Sequence, residues 1–157
     1  EGGIRVPAIL SSASISAPGR ISKETVSITD FAPTIMELAG IAFEESDFTG
    51  RSITPIMRNA SNPIRSKDEH IGVEIWGRRA IKVGNWKAVR MPKPLSDDRW
   101  LLFDLETDPA EQNNLAEERP ETLARLEAAW ERYVKENNVV LPEGPFRILP
   151  PEPLPTD

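Results

Sequence analysis

The chain has 157 residues, of which 39% are hydrophobic and 28% are charged, and this composition favours a packed globular core over disorder. The net charge of −6 argues against a nucleic-acid partner, because neutralising phosphates requires clustered Lys and Arg. There are no cysteines, which excludes disulfides, thiolate metal sites and a cysteine nucleophile. No apolar run approaches the roughly 20 residues that span a bilayer, so we expect no membrane partner.

The first ten residues predict a strand that belongs to a larger sheet. Two glycines and a short apolar run at residues 7–10 stand here, and residues 4–10 resemble a short buried strand of the kind found in parallel sheets. The chain starts close to this strand without Met or a signal-peptide layout. We therefore expect a piece of a longer protein, with a processed mature N-terminus as the alternative.

A helix is predicted between Thr29 or Asp30 and Gly40. Either polar residue can cap its start, and glycine suits the left-handed position that follows a helix end. Its apolar side, which we expect to be buried, consists of Phe31, Ile35, Leu38 and Ala39. Residues 43–64 are rich in turn signals, and we expect a boundary near Arg65.

Four strands joined by short links predict a small antiparallel sheet. They are residues 71–76, 80–83, 86–89 and 100–105. The Gly-Asn pair at 84–85 suits a two-residue turn, which sets Val83 opposite Trp86. The same register places Lys82 and Lys87 together on the other face, where we expect both to be solvated.

A helix that covers this sheet is predicted to begin at Pro120, because proline suits the first helical position. One apolar stripe with a spacing of three to four residues consists of Leu123, Leu126, Trp130 and Tyr133. Residues 142–157 form a proline-rich tail, which we do not expect to be regular structure.

Three polar features have structural explanations that we favour over chemical ones. His70 is the only histidine, so it cannot form a metal cluster by itself, and we interpret it as a polar loop residue. Asp97 and Asp98 suit an acidic solvated turn, with a metal-ligand role as the weaker alternative. Asp108 and Glu111 have the spacing of a capping box at a helix start. These residues alone indicate a sheet-and-helix unit without an active site.

Five segments, in this order, resemble the sulfatases of the alkaline-phosphatase-like superfamily. They are 1–7 (EGGIRVP), 29–40 (TDFAPTIMELAG), 50–56 (GRSITPI), 79–87 (RAIKVGNWK) and 102–116 (LFDLETDPAEQNNLA). In the family, the first segment follows an active-site lysine. The later WERYV at 130–134, with two valines at 139–140, is most similar to the arylsulfatases of pseudomonads. The chain thus resembles the C-terminal part of a bacterial arylsulfatase, for which the cytoplasm and the periplasm are both open as locations.

The resemblance implies an α/β fold of the alkaline-phosphatase-like kind, present here as a fragment. Residues 1–65 would be the C-terminal end of the large α/β domain. Residues 66–141 would be a small α+β subdomain, in which a four-stranded antiparallel sheet carries one helix, and 142–157 the tail. The rest of the sulfatase chain would be the partner of this fragment.

The resemblance also implies a sulfuric ester hydrolase that acts on a sulfate-ester small molecule. In this family a formylglycine, made from Cys or Ser in a Cys-x-Pro/Ala-x-Arg motif, attacks sulfur beside a calcium ion. A divalent cation suits this reaction because negative charge must be stabilised in the transition state. No residue of this chain matches the nucleophile, the calcium ligands or the catalytic His and Lys groups. We therefore assign no catalytic or metal-binding residue and expect the fragment alone to be inactive.

Residues 68–76 are expected to form a substrate-binding rim, because this region of the family lies beside the mouth of the active site. Trp76 offers a flat face to an aryl or sugar ring, and His70 can carry positive charge near a sulfate or donate a hydrogen bond to it. The alternative is that Trp76 packs into the core and His70 is merely solvated. Two rival functions stay open: a related phosphodiesterase or phosphonate monoester hydrolase, and a non-catalytic binding module.

Overall fold

A computed structural model describes residues 1–16 and 18–142, and this part of the chain folds into two compact units. The helical unit is Val6–Lys67. The sheet unit joins Glu1–Arg5 to the chain from Asp68 onward. The assignment of residues 1–65 to the end of a larger domain stays a prediction. Apart from Pro142, the predicted tail lies outside the described residues.

The helical unit contains two short helices, α1 (Phe31–Leu38) and α2 (Thr54–Arg58). A 3-10 turn, Ile28–Asp30, precedes α1, and the Ser27 side chain caps its start. The predicted helix is confirmed, but the predicted cap by Thr29 or Asp30 is wrong, because Asp30 makes no side-chain cap bond to α1. Gly40 follows α1 with a φ of 67°, the left-handed conformation that glycine adopts readily after a helix end.

Asp30 lies fully buried at the centre of the helical unit. Its carboxylate accepts hydrogen bonds from the backbone N–H groups of Ser27 (2.7 Å) and Arg51 (2.8 Å), and it forms an ion pair with Arg65. Burial acts to raise the pKa of Asp30. The hydrogen bond from Arg65 and the two backbone bonds outweigh that effect, so the pKa lies below its ordinary value.

The predicted buried strand at residues 4–10 is wrong. A hydrogen-bonded turn occupies its start, where the N–H groups of Ile4 and Arg5 donate to the Glu1 carbonyl. Ile9 is 95% exposed. A strand needs a neighbour to pair its backbone N–H and C=O groups. The described residues form one sheet, and all four of its strands lie beyond residue 69.

The prediction of a buried apolar side on α1 is also wrong. The four residues of that side are exposed: Phe31, Ile35, Leu38 and Ala39. The helix buries Pro33 and Thr34 instead. Thr34 explains the orientation, because its hydroxyl donates to the Asp30 carbonyl and accepts the Ile53 N–H at 3.0 Å. These polar bonds hold the opposite side of the helix against the unit's interior.

The sheet unit is built on a meander of four antiparallel strands. They are β1 (His70–Ile75), β2 (Arg78–Val83), β3 (Trp86–Arg90) and β4 (Trp100–Asp104). The order of the strands in the sheet is their order in the chain, which confirms the predicted antiparallel sheet. Gly84 has a φ of 59° in the turn between β2 and β3, and Val83 lies opposite Trp86 as predicted.

One long helix, α3 (Pro120–Asn137), packs against the first three strands. Its predicted apolar stripe is confirmed, and the fully buried core of the unit consists of Ile81, Val83, Ala88, Leu102, Leu126, Ala129 and Trp130. Gly72 on β1 faces the Tyr133 ring so closely that a Cβ at this position would collide with it. Asn138 ends α3 with a φ of 49°. Among the described helices, none is long and apolar enough to cross a membrane.

The opposite face of the sheet carries a buried charge. Lys82 and Lys87 are cross-strand partners on this face, as predicted, but Lys87 is only 4% exposed, so its predicted solvation is wrong. Val89 lies beside Lys87 along β3, and Phe103 lies opposite Lys87 on β4. Both are buried, which makes the surroundings of Lys87 largely apolar.

The predicted capping box at Asp108 and Glu111 is wrong as well, because this segment forms turns and no helix. Asp108 still accepts a backbone hydrogen bond, from the N–H of Asn113 at 2.8 Å, and this bond holds the pKa of Asp108 below its ordinary value. Glu111 takes a positive φ of 56°, and its side chain pairs with Lys87 instead.

Candidate functional site

Trp76 lies in the two-residue turn that joins β1 to β2. Its φ is 52° and that of Gly77 is 79°, so both turn residues are left-handed, as tight hairpins require. Such a backbone is unusual for a large aromatic residue. The Glu74 carboxylate accepts the Gly77 N–H at 2.6 Å and closes the turn. The result is an indole side chain that is 70% exposed on a fixed turn.

His70 starts β1, and its ring packs on α3. Its Nε2 lies 3.0 Å from Oε2 of Glu136, and the ring meets that of Tyr133 edge to face, with centroids 6.3 Å apart. The side chain is 16% exposed. His70 is thus a strand residue with two specific contacts, and the predicted loop placement is wrong.

The structure does not bring His70 and Trp76 together. Five residues of β1 separate them, and the six steps from one to the other correspond to roughly 19–20 Å at the usual rise of a strand. One ring contacts α3, whereas the other projects from a turn. A single small ligand therefore cannot contact both side chains, and Trp76 is the more accessible of the two candidates.

Asp97 and Asp98, the acidic pair noted in the sequence, both form ion pairs with arginines. The carboxylate of Asp98 accepts two hydrogen bonds from Arg90, one from Nε at 2.8 Å and one from Nη2 at 3.1 Å. Asp97 forms an ion pair with Arg99 at 3.2 Å. The Arg90 hydrogen bonds hold the pKa of Asp98 below its ordinary value. Within the described ranges, no three His, Cys, Asp or Glu side chains form a group that could hold a metal ion. The described residues therefore do not fit a calcium site, and the sequence has no cysteine that could become formylglycine.

The buried ion cluster consists of Lys87, Glu1 and Glu111. Lys87 Nζ lies 2.9 Å from Oε1 of Glu1 and 2.6 Å from Oε1 of Glu111. Burial acts to lower the pKa of Lys87, but the hydrogen bonds to Glu111 and Glu1 outweigh it, so the pKa lies above its ordinary value. Burial likewise acts to raise the pKa of Glu111. The contacts with Lys87 and with the N-terminal ammonium of Glu1, which donates to Oε2 of Glu111 at 2.9 Å, outweigh it, so the pKa lies below its ordinary value.

Sequence reasoning missed this cluster, although one signal pointed towards it. The strand alternation that pairs Lys82 with Lys87 also places Lys87 on one face with Val89, opposite the apolar β4. A lysine among such neighbours is a candidate for burial with an acidic partner. Identifying Glu1 and Glu111 as the partners required the three-dimensional structure, because they lie far from Lys87 in sequence.

Comparison with curated proteins finds sulfatases. The chain is 36% identical over 154 residues to an uncharacterized sulfatase of Schizosaccharomyces pombe, covering 93% of this chain and 28% of that protein. It is 36% identical over 120 residues to the choline-sulfatase of Rhizobium meliloti, covering 74% of this chain and 22% of that protein. The chain thus spans less than a third of the length of these relatives.

Solved structures share the fold. The crystal structure of Ps i-CgsB aligns with a TM-score of 0.58 and 26% identity over 73% of this chain and 25% of that one. The structure of a 2-O GAG sulfatase aligns with a TM-score of 0.52 and 24% identity over 69% of this chain and 24% of that one. The four-stranded sheet with its helix is the C-terminal subdomain of the alkaline-phosphatase-like sulfatase fold.

One family model extends along most of the sequence. It is described as N-sulphoglucosamine sulphohydrolase, C-terminal, and it matches residues 1–136 of the 157. The chain therefore belongs to this family and is a C-terminal domain of the sulfatases.

Proposed function

We propose that this chain is the C-terminal part of an arylsulfatase, which hydrolyses a sulfate ester with water to an alcohol or phenol and sulfate. The observation that supports a sulfuric ester hydrolase is the family match along residues 1–136, and the resemblance of residues 130–134 and 139–140 to arylsulfatases supports the finer assignment. Segment 79–87, which resembles the sulfatases, lies on the β2–β3 hairpin, and segment 102–116, which resembles them too, covers the end of β4 and the loop that holds Glu111. These segments lie on the sheet framework, so they support a scaffold role for the chain.

In this proposal the reacting groups belong to the rest of the parent protein. Calcium would be bound there and formylglycine would be formed there, since the described residues offer no metal-binding group. Formylglycine hydrate supplies the nucleophile in such enzymes, and this chain supplies none. The contribution of the chain is to bind and orient, through side chains that reach the substrate cleft.

Trp76 is the proposed rim residue for the organic part of the substrate. Its indole is exposed, and the Glu74 bond to Gly77 fixes the turn that presents it. A flat ring held in this way can stack on an aryl group or a sugar ring at little entropic cost. His70 belongs to the same proposal as a residue that can carry positive charge near the sulfate or donate a hydrogen bond to it, but its contact with Glu136 would have to open for it to bind an anion.

The proposal is tested by assaying the full-length parent protein with 4-nitrophenyl sulfate, choline sulfate and bis(4-nitrophenyl) phosphate. We expect turnover of both sulfate esters to exceed that of the phosphodiester, and the aryl ester to be the better substrate. Preference for choline sulfate would replace the arylsulfatase assignment by an alkyl sulfatase. Preference for the phosphodiester would favour the related phosphodiesterases and contradict the proposal.

The rim role of Trp76 is tested by Trp76→Ala in the same protein, with Trp76→Phe as the control that keeps an aromatic face. Loss of one ring contact of about 0.5–1.5 kcal/mol corresponds to a decrease of about 2- to 12-fold in kcat/KM for 4-nitrophenyl sulfate. Choline sulfate has no ring, so its kcat/KM should change little. An equal decrease for both substrates would show that Trp76 acts on the fold and not on the ring.

A further inference from the structure

Arg79 on β2 carries a donor that the described part of the protein leaves without a partner. Its Nε is buried, and it makes no hydrogen bond to any described residue. The residue as a whole is only partly buried. A donor that is shielded from water and unpaired costs free energy, and buried polar groups in folded proteins are almost always hydrogen-bonded. The position of Arg79 therefore needs an explanation other than packing.

The cross-strand neighbours of Arg79 do not supply the missing acceptor. Glu74 lies opposite it on β1, but the Glu74 carboxylate accepts the N–H of Gly77 at 2.6 Å. Arg90 lies opposite it on β3 and has the same charge, and like charges in such positions repel each other. Among the described residues, Arg79 thus has a second cation beside it and no acid that forms an ion pair with it.

Asp98 lies near Arg79, but it is already occupied by Arg90. Both oxygens of Asp98 accept hydrogen bonds from Arg90, at 2.8 Å and 3.1 Å. These bonds lower the pKa of Asp98 most, and the charges of Arg79 and Lys93 lower it further, so three cations lie around one carboxylate. The hydrogen bonds to Asp98 and then the charge of Glu127 on α3 raise the pKa of Arg90. Arg90 is therefore neutralised, whereas Arg79 keeps a guanidinium that can still bind an anion.

Arg79 lies close to the proposed substrate rim. It is three residues after Trp76 in the β1–β2 hairpin, so the Cα atoms of the two residues are at most about 11 Å apart. The loop from β3 to β4, which contains the exposed Lys93, leaves the sheet at the same end. A ring that stacks on the exposed indole of Trp76 can therefore carry a substituent to the guanidinium of Arg79.

We propose that Arg79 binds an oxyanion on the organic part of the substrate, a carboxylate or a second sulfate, while the ring of that part stacks on Trp76. This inference rests on the proposed function, in which Trp76 lies at the substrate rim. The planar donors of a guanidinium match two oxygens of such a group, and Nε is one of these donors. A change of side-chain rotamer turns Nε, together with an outer nitrogen, towards the ligand. The preferred substrates are aryl or sugar sulfates that carry a further negative charge.

The test compares 3- and 4-carboxyphenyl sulfate with their methyl esters in the full-length parent protein. Acid and ester share the ring and the sulfate, and only the acid carries the second charge. Arg79→Gln should lower kcat/KM for the better of the two acids by about 10- to 100-fold, the usual loss when a charged hydrogen bond is removed. For the methyl esters, kcat/KM should change by less than about threefold. Each variant is compared with wild type on the same substrate, so differences between leaving groups cancel.

Four further variants separate the charge from the fold. Arg79→Lys keeps the charge without the planar donors and should lose less than Arg79→Gln. Asp98→Asn removes the acid near Arg79 and should raise kcat/KM for the acids by about twofold. Trp76→Ala removes a ring contact that all four substrates share, so it should lower kcat/KM for acids and esters alike. Lys135→Gln, on the exposed side of α3, is the matched control and should leave every value unchanged.

Gel filtration and thermal unfolding of each variant give the folded fraction, so that rates are expressed per folded molecule. Equal changes for acids and esters in Arg79→Gln overturn the inference, because a structural role or a free anion at Arg79 would not distinguish the two. If Arg79→Gln does not fold, Arg79→Lys and Asp98→Asn decide, and an unchanged ratio of acid to ester turnover in both overturns the inference. These outcomes leave the proposed function standing, whereas a wild type that turns over no sulfate ester overturns the proposed function and this inference with it.

Discussion

Asp30 couples the stability of the helical unit to pH. Its carboxylate is fully buried with Arg65 and two backbone N–H donors, and its pKa lies below the ordinary value. A carboxylate whose pKa is lower in the folded than in the unfolded chain stabilises the fold above the unfolded pKa, about 4 for Asp. That stabilisation is lost as the pH falls through the folded pKa, since the unfolded chain then binds more protons.

We therefore predict that the free energy of unfolding decreases steeply below about pH 4. Asp30→Asn should destabilise the chain by about 3 kcal/mol at pH 7, because it removes the charge of the buried carboxylate that forms an ion pair with Arg65. The same variant should show a shallower dependence on pH in the acid range. Urea unfolding from pH 7 to pH 3 measures both effects.

Asp97→Asn is the matched control for Asp30→Asn. It removes an exposed carboxylate that pairs with an exposed arginine, Arg99, and such pairs contribute about 0–1 kcal/mol. Equal destabilisation by the two substitutions would contradict the central place given to Asp30 in the helical unit.

At the scale of elements, the contact between α3 and β1 requires a residue without a side chain on β1. Gly72 faces the Tyr133 ring, which occupies the space that a Cβ would need. Gly72→Ala should therefore destabilise the sheet unit by about 1–3 kcal/mol, the usual range for overpacking a core. Urea unfolding of the variant gives this value. Gly3→Ala, where no described atom lies within 4 Å of the added Cβ, should change stability by less than about 0.5 kcal/mol.

A second substitution separates steric clash from other effects at Gly72. Tyr133→Leu removes the ring. Gly72→Ala should therefore cost less stability in the Tyr133→Leu background than in the wild-type protein. Purely additive losses would show that the strand position, and not the ring, makes glycine necessary.

Elements with a local cause could be predicted from the sequence. The β2–β3 register follows from the Gly84 turn, and α3 follows from its apolar stripe and from Pro120 at its start. Lys87 could not be placed correctly, since its acidic partners are distant in sequence. The spacing of Asp108 and Glu111 was ambiguous for another reason: an acid that can cap a helix can equally cap a turn.

The candidate site was less accessible to sequence reasoning than the fold. The types of His70 and Trp76 suggested binding, but only the strand between them shows that they lie too far apart to share one small ligand. The exposure of Trp76 also depends on its left-handed backbone, a conformation that the sequence does not predict for an aromatic residue. The role of both residues at a substrate rim stays a prediction.

At the scale of the whole chain, the two units have different surfaces. The apolar core of the sheet unit lies entirely beyond residue 80. The helical unit exposes many large apolar side chains, among them Val6, Ile9, Ile21, Ile28 and Ile35. We predict that a truncated chain beginning at Ser66 unfolds cooperatively and is more soluble than residues 1–157. Gel filtration and thermal unfolding compare the two chains, and precipitation of the truncated chain alone would contradict the prediction.

The truncated chain lacks Glu1, so Lys87 keeps Glu111 as its acidic partner from the buried ion cluster. Adding Lys87→Met to the truncated chain should therefore cost less stability than it does in residues 1–157, where two carboxylates would lose their cation. Equal losses in the two backgrounds would indicate that Glu1 contributes nothing to the cluster.

The distance along the chain between Glu1 and Lys87 also sets an order of events during synthesis. The sheet is a meander in chain order, so its hairpins can form within microseconds once their strands are available. Glu1 is made 86 residues before Lys87, and at about 5–20 residues per second it waits on the order of 4–17 s for its partner. Throughout that interval the Glu1 carboxylate has no Lys87 to pair with. Among the residues of the sheet unit, Glu1–Arg5 are therefore the stretch on which a chaperone has the longest time to act.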